Sequence, residues 1–397
     1  MIDRVAAAVD LPASLSSEII AIRRDLHAHP ELGFEELRTA GIVATRLREL
    51  GYEVCTGVGR TGVVGVLATG RPGKTVLLRA DMDALPVREE SGESFSSLVD
   101  GKMHACGHDG HVAMLLGAAQ LIQAQAGELS GTIVLCFQPA EEGLAGAKAM
   151  IEDGLLERPR VDLVYGLHLW NLLECGVVAT RPGPMMASSD TLDVTVRGSG
   201  GHASAPHQTV DPIVTAAHFV TSLQHVVSRT IDPLAPAVVS IGSIHGGSTH
   251  NVIPDEVKML GTVRTFASEL REQMPAKIER TLRGCCDAAG ARYDYEYIRR
   301  YPVTANDPDE AAYVRALAAK LFGEARSAEL TPVMGAEDFS FLLLERPGCF
   351  FFVGAKPDGD NPAPHHSARF RIDERALQTG VQMMCALALD ASAAHSR

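Results

Sequence analysis

The sequence contains no run of lysine or arginine, and its formal net charge is −13. Nucleic-acid surfaces need basic patches and anionic membranes attract basic segments, so the charge balance argues against both as partners. No apolar stretch reaches the roughly 18 residues of a membrane span. The opening MIDRVAAAVDLPASL lacks the apolar centre of a secretion signal. Cysteine is scarce: Cys55, Cys106, Cys136, Cys175, Cys285, Cys286, Cys349 and Cys385 are too dispersed for a disulfide framework. The expectation is a reduced, cytoplasmic protein whose cysteines are small buried hydrophobes, with Cys106 set apart by its neighbours. Internal repeats and low-complexity tracts are absent as well.

What is present is an ordinary globular composition. At 46% hydrophobic over 397 residues, the chain can bury a substantial core, and two domains are expected. Helical patterns cover 15–28 and 39–50, the second stopping at Gly51. Apolar runs TVLLRAD (75–81), GTIVLCF (131–137) and VDLVYGLHL (161–169) alternate with helices expected over 108–125 and 143–152. Strands alternating with helices imply an α/β domain with a mainly parallel sheet flanked by helices. After RPGPMM (181–186) the pattern becomes strand 191–198, helix 209–229, strands 237–244 and 256–266, helix 268–289, strand 292–299. That is the ferredoxin-like order β-α-β-β-α-β. A helix at 308–322, the run CFFFVG (349–354) and a helix at 373–390 complete the chain. The expected organisation is a discontinuous domain of 1–186 and 302–397 with an inserted domain of 187–301.

Polar residues collect where strands end. Asp81 and Asp83 close the first run, Glu141 and Glu142 follow the second, His168 ends the third, and His365 and His366 follow CFFFVG. Cys106 and His108 form a Cys-x-His pair in MHACGHDGH (103–111). Open α/β sheets bind ligands beyond the carboxyl ends of their strands, so these segments converge on one face. Taken singly, each has an ordinary explanation as a turn, a helix cap or a buried side chain. Taken together, thiolate, imidazole and carboxylate describe a divalent transition-metal site. Two adjacent carboxylates let one bind metal while the other moves protons, which is the chemistry of a metal-dependent hydrolase.

The segments RADMDALPV, MHACGHDGH, FQPAEEG, GLHLW, GGHASAPH, NVIPD, GTVRTF and MGAEDFSF, in that order, resemble the hippurate hydrolase group. This is a group of N-acyl-amino-acid amidohydrolases in the superfamily that includes aminoacylase and glutamate carboxypeptidase. The resemblance implies a di-metal α/β catalytic domain with an inserted ferredoxin-like lid, and the long strands of such a lid offer an edge for pairing, so a homodimer is expected. It implies Cys106, His108, Glu142, His168 and His366 as ligands of two divalent ions, Mn or Zn with Co or Ni as alternatives. It makes Glu141 the general base and Asp83 the group that orients a ligand. His202, in Gly200-Gly201-His202, would polarise the scissile carbonyl, and Asn251 and Arg264 would bind substrate, Arg264 through a carboxylate. Related di-metal peptidases carry a metal-binding His where this chain has Asp81, so Asp81 stands outside the implied ligand set, and His365 is an extra imidazole beside His366. The implied reaction is attack on an N-acyl or N-aroyl amino acid by a metal-activated water. A dipeptidase, an N-acetyl-diaminopimelate deacetylase and a non-catalytic metal-binding module are the alternatives.

Overall fold

The computed structural model describes residues 9–359 and 361–393. The outermost ends of the expected catalytic domain, 1–8 and 394–397, lie outside the described residues. Helices α1 (Ala13–Ala28) and α2 (Leu37–Glu49) precede strands β1 (Glu53–Val58), β2 (Gly62–Ala68) and β3 (Thr75–Asp81). Helix α3 (His108–Ala124) leads to β4 (Thr132–Gln138), α4 (Gly146–Glu152), β5 (Leu163–Trp170) and β6 (Val178–Thr180). Next come β7 (Ser189–Arg197), α5 (Pro212–Thr230), β8 (Ala237–Gly246), β9 (Glu256–Thr265), α6 (Ser268–Ala289) and β10 (Arg292–Tyr301). The chain continues through α7 (Pro308–Phe322), β11 (Ser327–Glu329), α8 (Ser340–Glu345), β12 (Gly348–Gly354) and α9 (Ala376–Ala391). These elements form two compact units, one of residues up to 183, 305–331 and from 338, the other of 184–304 and 332–337. Among the described residues no helix is long and apolar enough to cross a membrane.

The first unit is built on an eight-stranded sheet ordered β1-β2-β4-β3-β5-β12-β6-β11. Its centre, β4-β3-β5-β12, is parallel. These strands are nearly continuous apolar runs buried along their length, as strands covered on both faces require. The sheet is nonetheless mixed: β1 and β2 form a hairpin antiparallel to β4, and β6 runs antiparallel to β12. The hairpin is not among the elements expected from the sequence, because glycines break up its apolar alternation. Gly57, at an irregularity inside β1, and Gly59, in the turn, have φ of 78° and 60°, values that glycine adopts at little cost. The helix expected over 143–152 is divided, since Ala145 at φ 59° separates a short turn, Glu141–Leu144, from α4. The main core joins Leu78, Phe137, Tyr165 and Phe351 of the sheet to Met114 and Ile122 of α3 and to Leu387 of α9.

The second unit runs β7-α5-β8-β9-α6-β10, with an antiparallel sheet ordered β8-β9-β7-β10. Helix α5 begins with Pro212 and is capped by Asp211, whose carboxylate accepts the Ile213 and Val214 N–H groups. Leu192, Val194 and Met259 from the strands and Phe219, Leu223, Ile278 and Leu282 from the helices fill its separate core. The return segment 332–337 belongs to this unit because Ala187 N–H donates to the Val333 and Gly335 carbonyls and Val333 N–H to Met185. The expected boundaries instead ran the first domain unbroken from 302. Asp190, on β7, is 1% exposed and ties this unit together. It accepts both Nε and Nη2 of Arg271, the Tyr297 hydroxyl and the Arg300 N–H, at 2.6–3.0 Å.

Removing one side of a buried, bidentate ion pair strands the other charge, at a cost of about 3–5 kcal/mol. Asp190→Ala is therefore expected to lower the unfolding free energy of the second unit by that amount, read by circular dichroism as a lower urea midpoint. An unchanged midpoint would show that the Asp190 cluster contributes nothing to the unit's stability.

Candidate active site

Asp81, Asp83, Glu141, Glu142 and His168 stand at or close to the ends of central strands. Strand β3 ends at Asp81, with Asp83 two residues on, and β5 carries His168 near its end. Cys106 and His108 flank Gly107, whose φ of 91° turns the chain into α3. Glu141 and Glu142 follow β4 through Ala140, a non-glycine residue at φ 54°. His366, at φ 66°, is anchored by its N–H to the Ala105 carbonyl at 2.8 Å. Left-handed backbone at alanine and histidine is costly, and it persists only where surrounding bonds enforce it.

These segments bring Cys106, His108, Glu141, Glu142, His168 and His366 into one cluster. The donor atoms of Cys106, His108 and His168 lie within 4.8 Å of one another, as do those of Cys106, Glu142 and His366. His108, Glu141 and Glu142 make a further such set. The Cys106 Sγ is 3.4 Å from His168 Nε2, and His366 Nε2 is 3.1 Å from Glu142 Oε1. Asp83 faces His108: its main-chain oxygen is 2.9 Å and its Oδ1 3.2 Å from His108 Nδ1. That holds a proton on Nδ1 and leaves the buried Nε2 with no hydrogen-bond partner among the described residues. Asp83 Oδ2 also accepts the Glu142 N–H at 2.9 Å.

Burial pushes the Cys106 thiol well above its ordinary value, and Glu142, Glu141 and Asp81 push it the same way. A thiolate here needs a cation to form. Burial pulls His108 down, but Asp81, Asp83 and Glu142 outweigh it and raise the imidazole to about 10. Burial, with His111 and His365 beside it, keeps His168 far below the usual imidazole range, so it is neutral.

Asp81 and His365 have other duties. Arg79, fully buried at the end of β3, donates Nη1 to Asp81 Oδ2 at 2.7 Å, Nη2 to Asp338 Oδ1 at 3.0 Å and Nε to Gln138 Oε1 at 2.8 Å. His111 Nδ1 lies 2.5 Å from Asp81 Oδ1, so both Asp81 oxygens are engaged. Burial opposes ionisation of Asp81, yet Arg79, His108 and His111 hold its carboxyl well below the usual range. The backbone of Leu169 is a junction: its N–H donates to His111 Nε2 at 2.9 Å, and its carbonyl accepts from His168 Nδ1 at 2.7 Å and His365 Nε2 at 3.0 Å. His168 is thereby left with a free Nε2 lone pair facing Cys106. His365 is stacked on Trp170 with ring centroids 4.6 Å apart and belongs to none of the donor clusters among the described residues. Arg79 and His111 had no role in the sequence expectations. The available signals were a charged residue inside an apolar strand and a second imidazole one helical turn beyond His108.

His202, Asn251 and Arg264 lie in the second unit. His202 and Val252 pair across a short two-stranded ribbon, and Ala203 N–H donates to the Asn251 carbonyl at 3.1 Å. His202 is exposed, with Nδ1 2.9 Å from the Ser204 hydroxyl. Arg264, half-buried on β9, has its guanidinium pulled down by burial, with Asp190 opposing.

Residues 77–390 match the peptidase family M20/M25/M40. Thermostable carboxypeptidase 2 of Saccharolobus solfataricus is 44% identical over 94% of this chain and 94% of its own length. The hippurate hydrolase of Campylobacter jejuni is 40% identical, covering 94% of this chain and 97% of its own. Among solved structures, a dinuclear metal-binding peptidase of family M20 from Bacillus subtilis superposes with a TM-score of 0.83 at 33% identity, over 96% of this chain and 99% of that one. Similarity over 94% of this chain, with a family match that spans every strand-end segment described above, places this protein in peptidase family M20/M25/M40, as a hydrolytic enzyme acting on amides.

Proposed function

We propose that the protein cleaves the amide bond of N-acyl or N-aroyl amino acids with the help of two divalent metal ions, for which Cys106 would be a ligand. The observation that carries this reading is that Cys106 is common to two three-residue donor clusters. The donors suit such ions: a thiol that burial and carboxylates keep protonated, a neutral His168, and a buried His108 Nε2 with no hydrogen-bond partner among the described residues. Cys106, His108, Glu142, His168 and His366 would hold the ions, and the mixed sulfur, nitrogen and oxygen set suits Mn or Zn, with Co or Ni as alternatives. Once bound, the ions would supply Lewis acidity and a water acidic enough to attack at neutral pH.

The chain's own groups account for the remaining steps. Glu141 takes the proton of the attacking water and delivers it to the leaving amine. Asp83 and Leu169 fix the tautomers of His108 and His168, so that each offers Nε2. In this proposal the second unit is a ferredoxin-like lid: His202 polarises the scissile carbonyl, and Asn251 and Arg264 bind the amino-acid moiety. The half-buried Arg264 suits a carboxylate, which an N-acyl amino acid and a peptide C-terminus both present. The relatives named as a hippurate hydrolase and a carboxypeptidase support that substrate class. The second unit would also form a homodimer: β8 is an edge strand, and Ile244 and Leu260 are half-exposed on β8 and β9.

Hippurate, N-acetyl amino acids and short peptides, assayed on metal-stripped enzyme and again after Mn²⁺ or Zn²⁺ is restored, test the reaction. Metal-dependent release of a free amino acid is expected, and cleavage unaffected by stripping would overturn the metal reading. Glu141→Gln should retain metal and lose about two to four decades of kcat, the usual size of a general-base effect; near-full activity would remove Glu141 from that role. Cys106→Ala should bind metal at least about tenfold more weakly in a chelator competition, and unchanged affinity would refute Cys106 as a ligand. Light scattering should give twice the chain mass, whereas a monomer at assay concentration would remove the dimer.

A further inference from the structure

Residues 31–36, between α1 and α2, brace both acidic loops of the site. Leu32 forms a bridge with Ala84, and the Ala84 N–H donates to the Glu31 carbonyl at 2.8 Å, one residue beyond Asp83. Gly33 presses against the other loop: a Cβ there would stand 3.1 Å from the Ala140 Cα and 2.9 Å from the Leu144 Cδ1. Glu36 is 0% exposed. Its Oε1 accepts the Ala140 N–H at 2.8 Å, and its Oε2 accepts the Thr61 hydroxyl at 2.6 Å. Thr61, Ala140 and its own backbone are its bonded partners, so among the described residues it is a buried carboxylate without a bonded cation. Burial raises its carboxyl above the usual range. Such a group is expensive to keep unless it performs a task.

The task lies in the loop it grips. Ala140 at φ 54° and Ala145 at φ 59° bracket Glu141 and Glu142 in left-handed backbone, which relaxes unless bonds hold it. Three buried carboxylates supply those bonds: Glu36 on Ala140 N–H, Asp83 on Glu142 N–H and Asp338 on Ala147 N–H, the last two at 2.9 Å. Asp83 also faces His108, and Asp338 also binds Arg79 and Gln138. Of the three, Glu36 is the one that grips the N–H of Ala140, the residue immediately before Glu141; the Ala140 carbonyl in turn accepts the Gly146 N–H at 3.0 Å. We propose that Glu36 is a positioning residue: it locks Ala140 in its left-handed conformation and so sets the direction in which the Glu141 carboxylate leaves the backbone. The proposal rests on the reading of Glu141 as general base.

The test compares the metal-loaded full-length enzyme with Glu36→Ala, Glu36→Asp, Glu36→Gln, Glu141→Gln and the double variant Glu36→Ala/Glu141→Gln, on the best substrate of the panel above. Misplacing a catalytic group by about 1 Å costs on the order of a hundredfold, so Glu36→Ala should lower kcat by about ten- to a hundredfold. KM and metal content should stay near wild type. Glu36→Gln keeps an oxygen for the Ala140 N–H and should recover most of the rate. Glu36→Asp, one methylene short, should not, and it serves if the alanine variant does not fold. In the Glu141→Gln background, Glu36→Ala should cost nothing further, because groups that act as a unit are not additive. Additive losses, or a Gln variant no better than Ala, would overturn the proposal. Amide hydrogen exchange over 139–147 gives a readout independent of turnover: it should speed up in Glu36→Ala and return in Glu36→Gln. Unchanged protection would also overturn the clamp. If Glu141→Gln keeps its full rate, the base reading fails while the exchange data still decide whether Glu36 holds the loop.

Discussion

The arrangement around the site depends on one buried cation. Arg79 stands at the end of an apolar strand with no solvent to stabilise its charge, so its guanidinium must be satisfied entirely by protein groups. It is met by Asp81, Asp338 and Gln138, from β3, the segment leading into α8, and β4. Two chains of contacts start there. One runs from Asp81 through His111 to the Leu169 backbone and on to His168. The other runs through Asp338 to Ala147 and fixes the far end of the loop that carries Glu141 and Glu142. A planar, multidentate donor suits this junction, whereas a lysine would offer a point charge and lose the simultaneous contacts.

Carboxylates are used here in several ways on the same few strand ends. Asp81 and Asp338 neutralise a buried cation, Asp83 orients an imidazole and holds a backbone N–H, Glu36 holds another, and Glu141 and Glu142 remain near the donor cluster. Environment, not residue type, separates these uses. Asp81, bonded to the Arg79 guanidinium and to His111 Nδ1, stays ionised, while burial raises Glu36.

Much of this was legible in the sequence because a simple geometric rule applied. Parallel central strands deliver their carboxyl ends to one side, so Asp83, Glu141, Glu142, His168 and His366 could be expected together before any distance was known. Cys106 and His108 joined them because Gly107 allows a sharp entry into α3. The rest was hidden for physical reasons. The β1–β2 hairpin is too rich in glycine to show an alternating pattern. Glu36 sits in PELGFEELRT, just ahead of the helical pattern of 39–50, and only the fold shows it turned inward. Arg79 did leave a trace, as a charge inside TVLLRAD, but its partners are 2, 59 and 259 residues away. Leu169 left none, since it acts through its backbone and its side chain only fills the core.

That last point bears on how such a site can change over generations. The junction linking His111, His168 and His365 is made of an N–H and a carbonyl that almost every amino acid carries. Codon changes at Leu169 alter packing but leave the junction in place, proline excepted, because it has no N–H to give. Evolution can therefore exchange the imidazoles around this point one at a time without dismantling what aligns them. A substitution survey would score the position as a hydrophobic core residue, and only backbone chemistry, such as an ester in place of the amide, would expose its part in the site.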